Sequence, residues 1–126
     1  MKKILIIEDN PASIRFITSH LENKGYVTVV AEGGFAGLKM AQDEHPDLIL
    51  LDIMLPDMDG HKVCRMIKMN KAIQKIPIAM FTSRDTDDDA QKAKDGGADA
   101  FLLKNTRIEI ILDVIEQLIN RVEPEE

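Results

Sequence analysis

The chain has no tryptophan, one tyrosine and four phenylalanines, so aromatic residues make up only 4% of it. Stacking surfaces of the kind a flavin ring needs are therefore scarce. The single cysteine, Cys64, excludes an internal disulfide and any cysteine cluster for zinc. That usage fits a reducing compartment, and the cytosol is the expected location. Basic residues are in deficit: 16 Lys and Arg against 22 Asp and Glu leave a formal charge of −6. A surface built to meet nucleic-acid phosphates is not expected from that balance. Long hydrophobic runs are missing too. No stretch approaches the roughly 20 apolar residues of a membrane span. Ile4-Leu5-Ile6-Ile7, after two lysines, is too short for a signal-peptide core. There is no internal repeat, no low-complexity linker and no GxxxxGK[ST] nucleotide loop.

What is present is ordinary for a globular domain: 44% apolar and 30% charged residues. At 126 residues the prior is one domain, large enough for a core without staples. Ile4 to Ile7 reads as a strand buried on both faces. Asn10-Pro11 supplies a cap and a first helical residue. Ile14, Ile17 and Leu21 then recur at helical spacing up to Lys24-Gly25. Tyr26 to Ala31 is a second strand, broken by Gly33-Gly34. Phe35, Leu38 and Ala41 mark a second helix that ends before Pro46. Asp47 to Asp52 carries the third strand, Leu48-Ile49-Leu50-Leu51. Turn chemistry at Leu55 to Gly60 leads to a third helix with Val63, Cys64 and Ile67 on its apolar side. Pro77 opens the fourth strand, Ile78 to Phe81. Asp85 or Thr86 is placed to cap a fourth helix carrying Ala90 and Ala93, closed by Gly96-Gly97. Ala100 to Leu103 is a short fifth strand. Ile108, Ile111, Ile115, Leu118 and Val122 form the stripe of a fifth helix.

Five alternating strands and helices predict an α/β fold, a parallel sheet covered on both faces. The expected architecture is flavodoxin-like: a doubly wound (βα)5 unit, five parallel strands in the order 2-1-3-4-5. Its ligand crevice lies at the carboxyl ends of the strands, where strands 1 and 3 diverge. At those ends stand Glu8-Asp9, Asp52, Thr82-Ser83 and Lys104. A single Asp after a strand is most often a cap or turn former, and a single Lys a solvated charge. The weight lies in three carboxylates, a hydroxyl and an ammonium at one rim. Close carboxylates repel and raise one another's pKa. A hard divalent cation relieves that repulsion, and Mg²⁺ favours oxygen ligands and retained waters.

In these residues the chain resembles the receiver domain of two-component response regulators. The resemblance rests on Ile6-Ile7-Glu8-Asp9-Asn10, Pro46 to Asp52, Leu55-Pro56-Asp57-Met58-Asp59-Gly60, Thr82-Ser83 and Gly97 to Lys104. It covers about residues 2–122, so the domain is set at 1–122 with an acidic tail, 123–126, expected to fray. The resemblance implies that Asp52 accepts a phosphoryl group. It implies that Mg²⁺ is held by Glu8, Asp9, Asp52 and the backbone carbonyl of Met54, Glu8 through water. Thr82 is then the switch hydroxyl, Lys104 the lysine that pairs with a phosphoryl oxygen, and Phe101 the switch aromatic. The donor is a phosphohistidine on a sensor histidine kinase or histidine phosphotransfer protein. The output is a downstream protein effector docking on the fourth helix, fifth strand and fifth helix. Such a domain is a phosphorylation switch with no separate substrate, not an enzyme in the usual sense. With residue 122 near the chain end, the resemblance implies a stand-alone regulator of chemotaxis or relay type, a monomer or weak dimer.

One departure stands out. The family usually has proline after the conserved lysine, joined by a cis bond, and here Asn105 follows Lys104. A cis bond before a non-proline residue costs roughly 3–4 kcal/mol, so a trans bond is expected. The departure is the one support for an alternative, a degenerate receiver that acts only as a protein-interaction module. A flavin carrier lacks its hydroxyl-rich loop here, since the loop is Asn10-Pro11-Ala12-Ser13. An aspartyl-phosphate phosphatase lacks its second acid, since Met54 stands where it belongs. Met54 and Arg84 occupy the positions that tune self-dephosphorylation in the family, and Met54 implies a long-lived phosphoryl group. His20, His45 and His61 are expected at the surface or at helix ends. The acidic cluster Asp85 to Asp89 is read as serving the helix dipole, and the seven methionines as packing filler.

Overall fold

The computed structural model describes residues 1–84 and 86–121. Asp85, Val122 and the acidic tail 123–126 lie outside the described residues. The elements run β1 (Lys3–Ile7), α1 (Pro11–Asn23), β2 (Val27–Ala31), α2 (Gly34–Glu44), β3 (Leu48–Leu51), α3 (Gly60–Lys68), β4 (Ile78–Thr82), α4 (Asp87–Asp95), β5 (Ala100–Leu103) and α5 (Ile108–Ile119). All four strand pairings are parallel, and the sheet order is β2-β1-β3-β4-β5. The expected topology is the observed one.

The apolar runs explain the order. Every residue of β3 and β4 is buried, and all of β1 after Lys3, so these strands take the sheet centre. β2 and β5 are only partly buried and form the edges. The sheet separates two apolar cores. Leu5, Ile7, Ile49, Leu51 and Met80 pack with α2, α3 and α4. Ile4, Ile6, Leu48, Leu50 and Phe81 pack with α1 and α5. A fully buried Leu or Ile contributes about 1.5–3 kcal/mol by leaving water, so the two layers supply most of the driving force.

Caps set the helix starts as the sequence implied. Asn10 accepts from the Ser13 N–H at 3.0 Å, with Pro11 opening α1. Of the two cap candidates for α4, Thr86 is the N-cap, and its hydroxyl accepts from the Asp89 N–H at 3.0 Å. α2 has no side-chain cap of its own. Asp57, from the turn after β3, takes that place by accepting from Gly34 N–H at 2.7 Å and Phe35 N–H at 3.1 Å. These bonds hold the exposed Asp57 carboxyl below its usual pKa.

Phe35 lies in α2 but points away from the core. It is 65% exposed and not part of the core stripe. The buried face of α2 is Gly34, Gly37 and Ala41. A Cβ on Gly37 would come within 2.6 Å of Ile7 Cδ1, so the helix lies on β1 with no room for a side chain there. Small residues carry this contact, and the large one turns outward.

Candidate functional site at the carboxyl rim of the sheet

The parallel ladder continues one residue beyond the strands. Glu8 N–H donates to Ala31 O at 2.9 Å, Asp52 N–H to Ile7 O at 3.0 Å, and Lys104 N–H to Thr82 O at 2.9 Å. This pins the residue after each of β1, β3 and β5 at the rim. Lys104 Nζ stands 3.0 Å from Asp52 Oδ2 and 2.6 Å from Glu8 Oε1. Glu8 and Asp52 are buried, and Lys104 is largely covered. Asp52 Oδ1 accepts from the Met54 N–H at 3.3 Å, and Glu8 Oε2 from the Asn10 N–H at 3.0 Å.

The electrostatics follow from burial and pairing. Burial pushes the Glu8 carboxyl above its usual pKa, against the pull of Lys104 and of the Asn10 N–H. For Lys104 burial opposes the charge, but its pairing with the Glu8 and Asp52 carboxylates outweighs it and its pKa rises. Glu8 Oε1 makes no hydrogen bond despite its closeness to the ammonium. The pair is held by charge, and an acceptor oxygen is left over.

Gly60 fixes the floor of the site. Its N–H donates to Ile53 O at 2.8 Å. A Cβ there would lie 2.6 Å from Ile53 Cα and closer still to the Asp52 carbonyl oxygen. Only glycine lets the start of α3 sit on the Asp52 backbone. Thr82 ends β4 fully buried, and its Oγ1 accepts from the Arg84 N–H at 3.2 Å. Phe101, on β5, is half-buried and packs against the α2–α3–α4 core. Met54 is 47% exposed. Among the described residues no cis peptide bond occurs, so Lys104–Asn105 is trans. The trans bond leaves Lys104 able to reach Asp52.

Glu8, Asp52 and Lys104 thus meet, with Thr82 at the neighbouring strand end. Asp9 is exposed, and no hydrogen bond or ion pair engages its side chain among the described residues. Among those residues no three His, Cys, Asp or Glu side chains gather as a finished metal site. Two carboxylates are spanned by an ammonium instead. The donor set is still all carboxylate oxygen, with one buried oxygen lacking a hydrogen bond. Those are the donors a hard divalent cation takes, so Mg²⁺ fits the residues present.

Residues 4–116 match the model of the response regulator receiver domain. The chain belongs to that family. The receiver is 36% identical to the alkaline phosphatase synthesis transcriptional regulatory protein PhoP of Bacillus subtilis, over 88% of this chain and 48% of that protein. It therefore spans about half the length of that relative. It is 29% identical to the polar-differentiation response regulator DivK of Brucella ovis, over 94% of this chain and 96% of DivK. The BeF3-activated N-terminal receiver domain of Klebsiella pneumoniae RstA superposes with a TM-score of 0.90 at 31% identity, covering 95% of this receiver and 100% of that chain.

One part of the receiver's site region departs from the sequence reading. His61 was expected at the surface or a helix end, and it does lie in the first turn of α3, but it is buried at 2% exposure. Its Nε2 lies 3.0 Å from Asp89 Oδ1. Asp89 is also buried, paired with Arg84 rather than serving only the dipole of α4. The signal was spacing: His61 stands three residues before Cys64 and Asp89 four before Ala93, on the stripes that face inward. His20 and His45 behave as expected. His20 meets Phe16 edge to face at 4.7 Å, and His45 ends α2 with φ 50. Cys64 is core, and burial pushes its thiol up to about 11. No described helix is long and apolar enough to cross a membrane.

Proposed function

We propose that this receiver takes a phosphoryl group from a phosphohistidine onto Asp52. A carboxylate oxygen of Asp52 attacks phosphorus, the P–N bond breaks, and the imidazole leaves with the electron pair. The observation that carries this reading is the Lys104 ammonium 3.0 Å from Asp52 Oδ2 at the strand-end rim. It neutralises the acceptor and is positioned to pair with a phosphoryl oxygen. Glu8, Asp9, Asp52 and the Met54 carbonyl would hold Mg²⁺, which supplies charge neutralisation on the transferring oxygens. The Thr82 hydroxyl turns to the phosphoryl group, and Phe101 takes up the space it leaves. The α4–β5–α5 face then changes shape for a downstream protein effector. A groove lined by Ala12, Ser13, Phe16, Phe81 and Lys104 opens beside the rim and gives a histidine kinase or phosphotransfer protein a way in.

The docking-only alternative drew its support from Asn105. Lys104 keeps its ion pair with Asp52 across the trans bond, which removes that support. The test is intact mass after incubation with acetyl phosphate and Mg²⁺, then with a promiscuous histidine kinase. Gain of one phosphoryl group by the wild type and none by Asp52→Asn is expected. No gain from either donor overturns the reading in favour of a docking-only receiver.

A further inference from the structure

Asp89, in the first turn of α4, accepts from Arg84 Nε and Nη2 at 2.8 Å each, from Thr86 Oγ1 at 2.8 Å and from His61 Nε2 at 3.0 Å. An ionised carboxylate only accepts, so His61 Nε2 carries a hydrogen and donates it to Asp89. Nδ1 of that ring is buried without a partner. The cluster joins α3, the β4–α4 loop and α4 through one buried carboxylate. Its cation is the accessible member: the Arg84 side chain is 43% exposed while that of Asp89 is 3% exposed. Arg84 also stands at the rim. Its N–H bonds to Thr82 Oγ1, and the charges of Asp52 and Asp59 both act on its guanidinium.

We propose that Arg84 exchanges partners, leaving Asp89 for a phosphoryl group on Asp52, and that Asp89 is the point at which α4 registers the event. This rests on Asp52 being the acceptor. A phosphoryl group brings about −1.5 to −2 charge and three acceptor oxygens, against the single charge of Asp89. The guanidinium fork fits phosphate as well as it fits carboxylate, so the swap costs little geometry. Asp89 is then a buried anion that has lost both bonds to the guanidinium and keeps only Thr86 and His61 as side-chain partners. Such a group is unfavourable where it stands. The first turn of α4, capped through Thr86 and Asp89, loosens as a result. This route to α4 is separate from the movement of Thr82, because it runs through a side chain on the loop.

The experiment follows amide exchange across residues 86–95 by mass spectrometry, with and without acetyl phosphate and Mg²⁺. Intact mass is recorded on the same samples. In the wild type, phosphorylation should speed exchange of the first turn of α4 about fivefold, the scale of a lost helix cap. In Arg84→Ala, exchange should already be fast, and phosphorylation should add nothing. In Asp89→Asn, which keeps Arg84, the phosphorylation increment should vanish in the same way. A phosphorylated Arg84→Ala that still shows the wild-type increment overturns the exchange. So does a phosphorylated wild type whose α4 is unchanged. A wild type with no gain in mass overturns the acceptor reading itself, and the mass spectrum tells that failure from the others.

Discussion

Lys104 bridges Glu8 and Asp52, its Nζ 2.6 Å from Glu8 Oε1 and 3.0 Å from Asp52 Oδ2. Removing the ammonium leaves two buried carboxylates facing each other without a counterion. Lys104→Met should therefore lose about 3 kcal/mol of stability by urea unfolding. Mg²⁺ should recover more stability in the variant than it adds to the wild type, because it then takes over the neutralisation. Equal gains in both proteins would show that Mg²⁺ does not act on this carboxylate pair.

Gly60→Ala places a Cβ 2.6 Å from Ile53 Cα, a backbone atom that cannot turn aside. A loss of at least about 2 kcal/mol is expected, with the Asp52 backbone displaced. Gly25→Ala is the control. Gly25 has φ +94 with open space around it, so only the backbone conformation is penalised, at about 1 kcal/mol. Urea midpoints for the two variants should differ in that order.

Met54 is half-exposed two residues after Asp52 and offers an attacking water no good hydrogen bond. Met54→Asn should shorten the phosphoryl lifetime at least about tenfold, by helping to orient that water. Decay of the phosphorylated mass in Mg²⁺ measures it. An unchanged lifetime would place the control elsewhere.

Asp89 is held well below the ordinary carboxylate range, first by Arg84 and then by His61 and Thr86. In the unfolded chain it titrates near pKa 3.9. Its contribution is thus complete above about pH 4 and is lost as pH falls toward the lower folded value. Urea midpoints taken from pH 5 to pH 2.5 should fall more steeply for the wild type than for Asp89→Asn. Parallel curves would mean the ion pair adds no stability.

Cys64 is fully buried, with its thiol pushed up to about 11. A disulfide reagent at pH 8 should leave the native protein unmodified and react at once in urea, because the thiolate is the nucleophile. Rapid labelling of native protein would show that α3 opens readily.

The sheet was legible because burial on both faces leaves continuous apolar runs, and Ile4 to Ile7 and Leu48 to Leu51 can hardly be read otherwise. The rim was legible because fold topology alone makes strand-end residues neighbours, and Glu8, Asp52 and Lys104 do meet there. Asp9 illustrates the limit: adjacency in sequence placed it at the rim but gave it no partner among the described residues. The Arg84–Asp89–His61 cluster was not read from the sequence. Its members look like surface charges singly, and only the packing of α3 against α4 brings them together. Phe35, Leu38 and Ala41 marked α2 but not which of its faces is buried: close approach of α2 to β1 demands glycine there, and Phe35 turns outward.

The sheet that divides the interior into two cores also acts as an insulator. Gly60, Asp89 and the packing of Phe101 belong to the side with α2, α3 and α4. α1 and α5 rest on the other side, against residues that do not line the first core. Substitutions that repack α1 or α5 therefore act on the second core without touching the residues that line the first. Each face of the sheet can thus be repacked as a unit, with the central strands as the partition the two cores share.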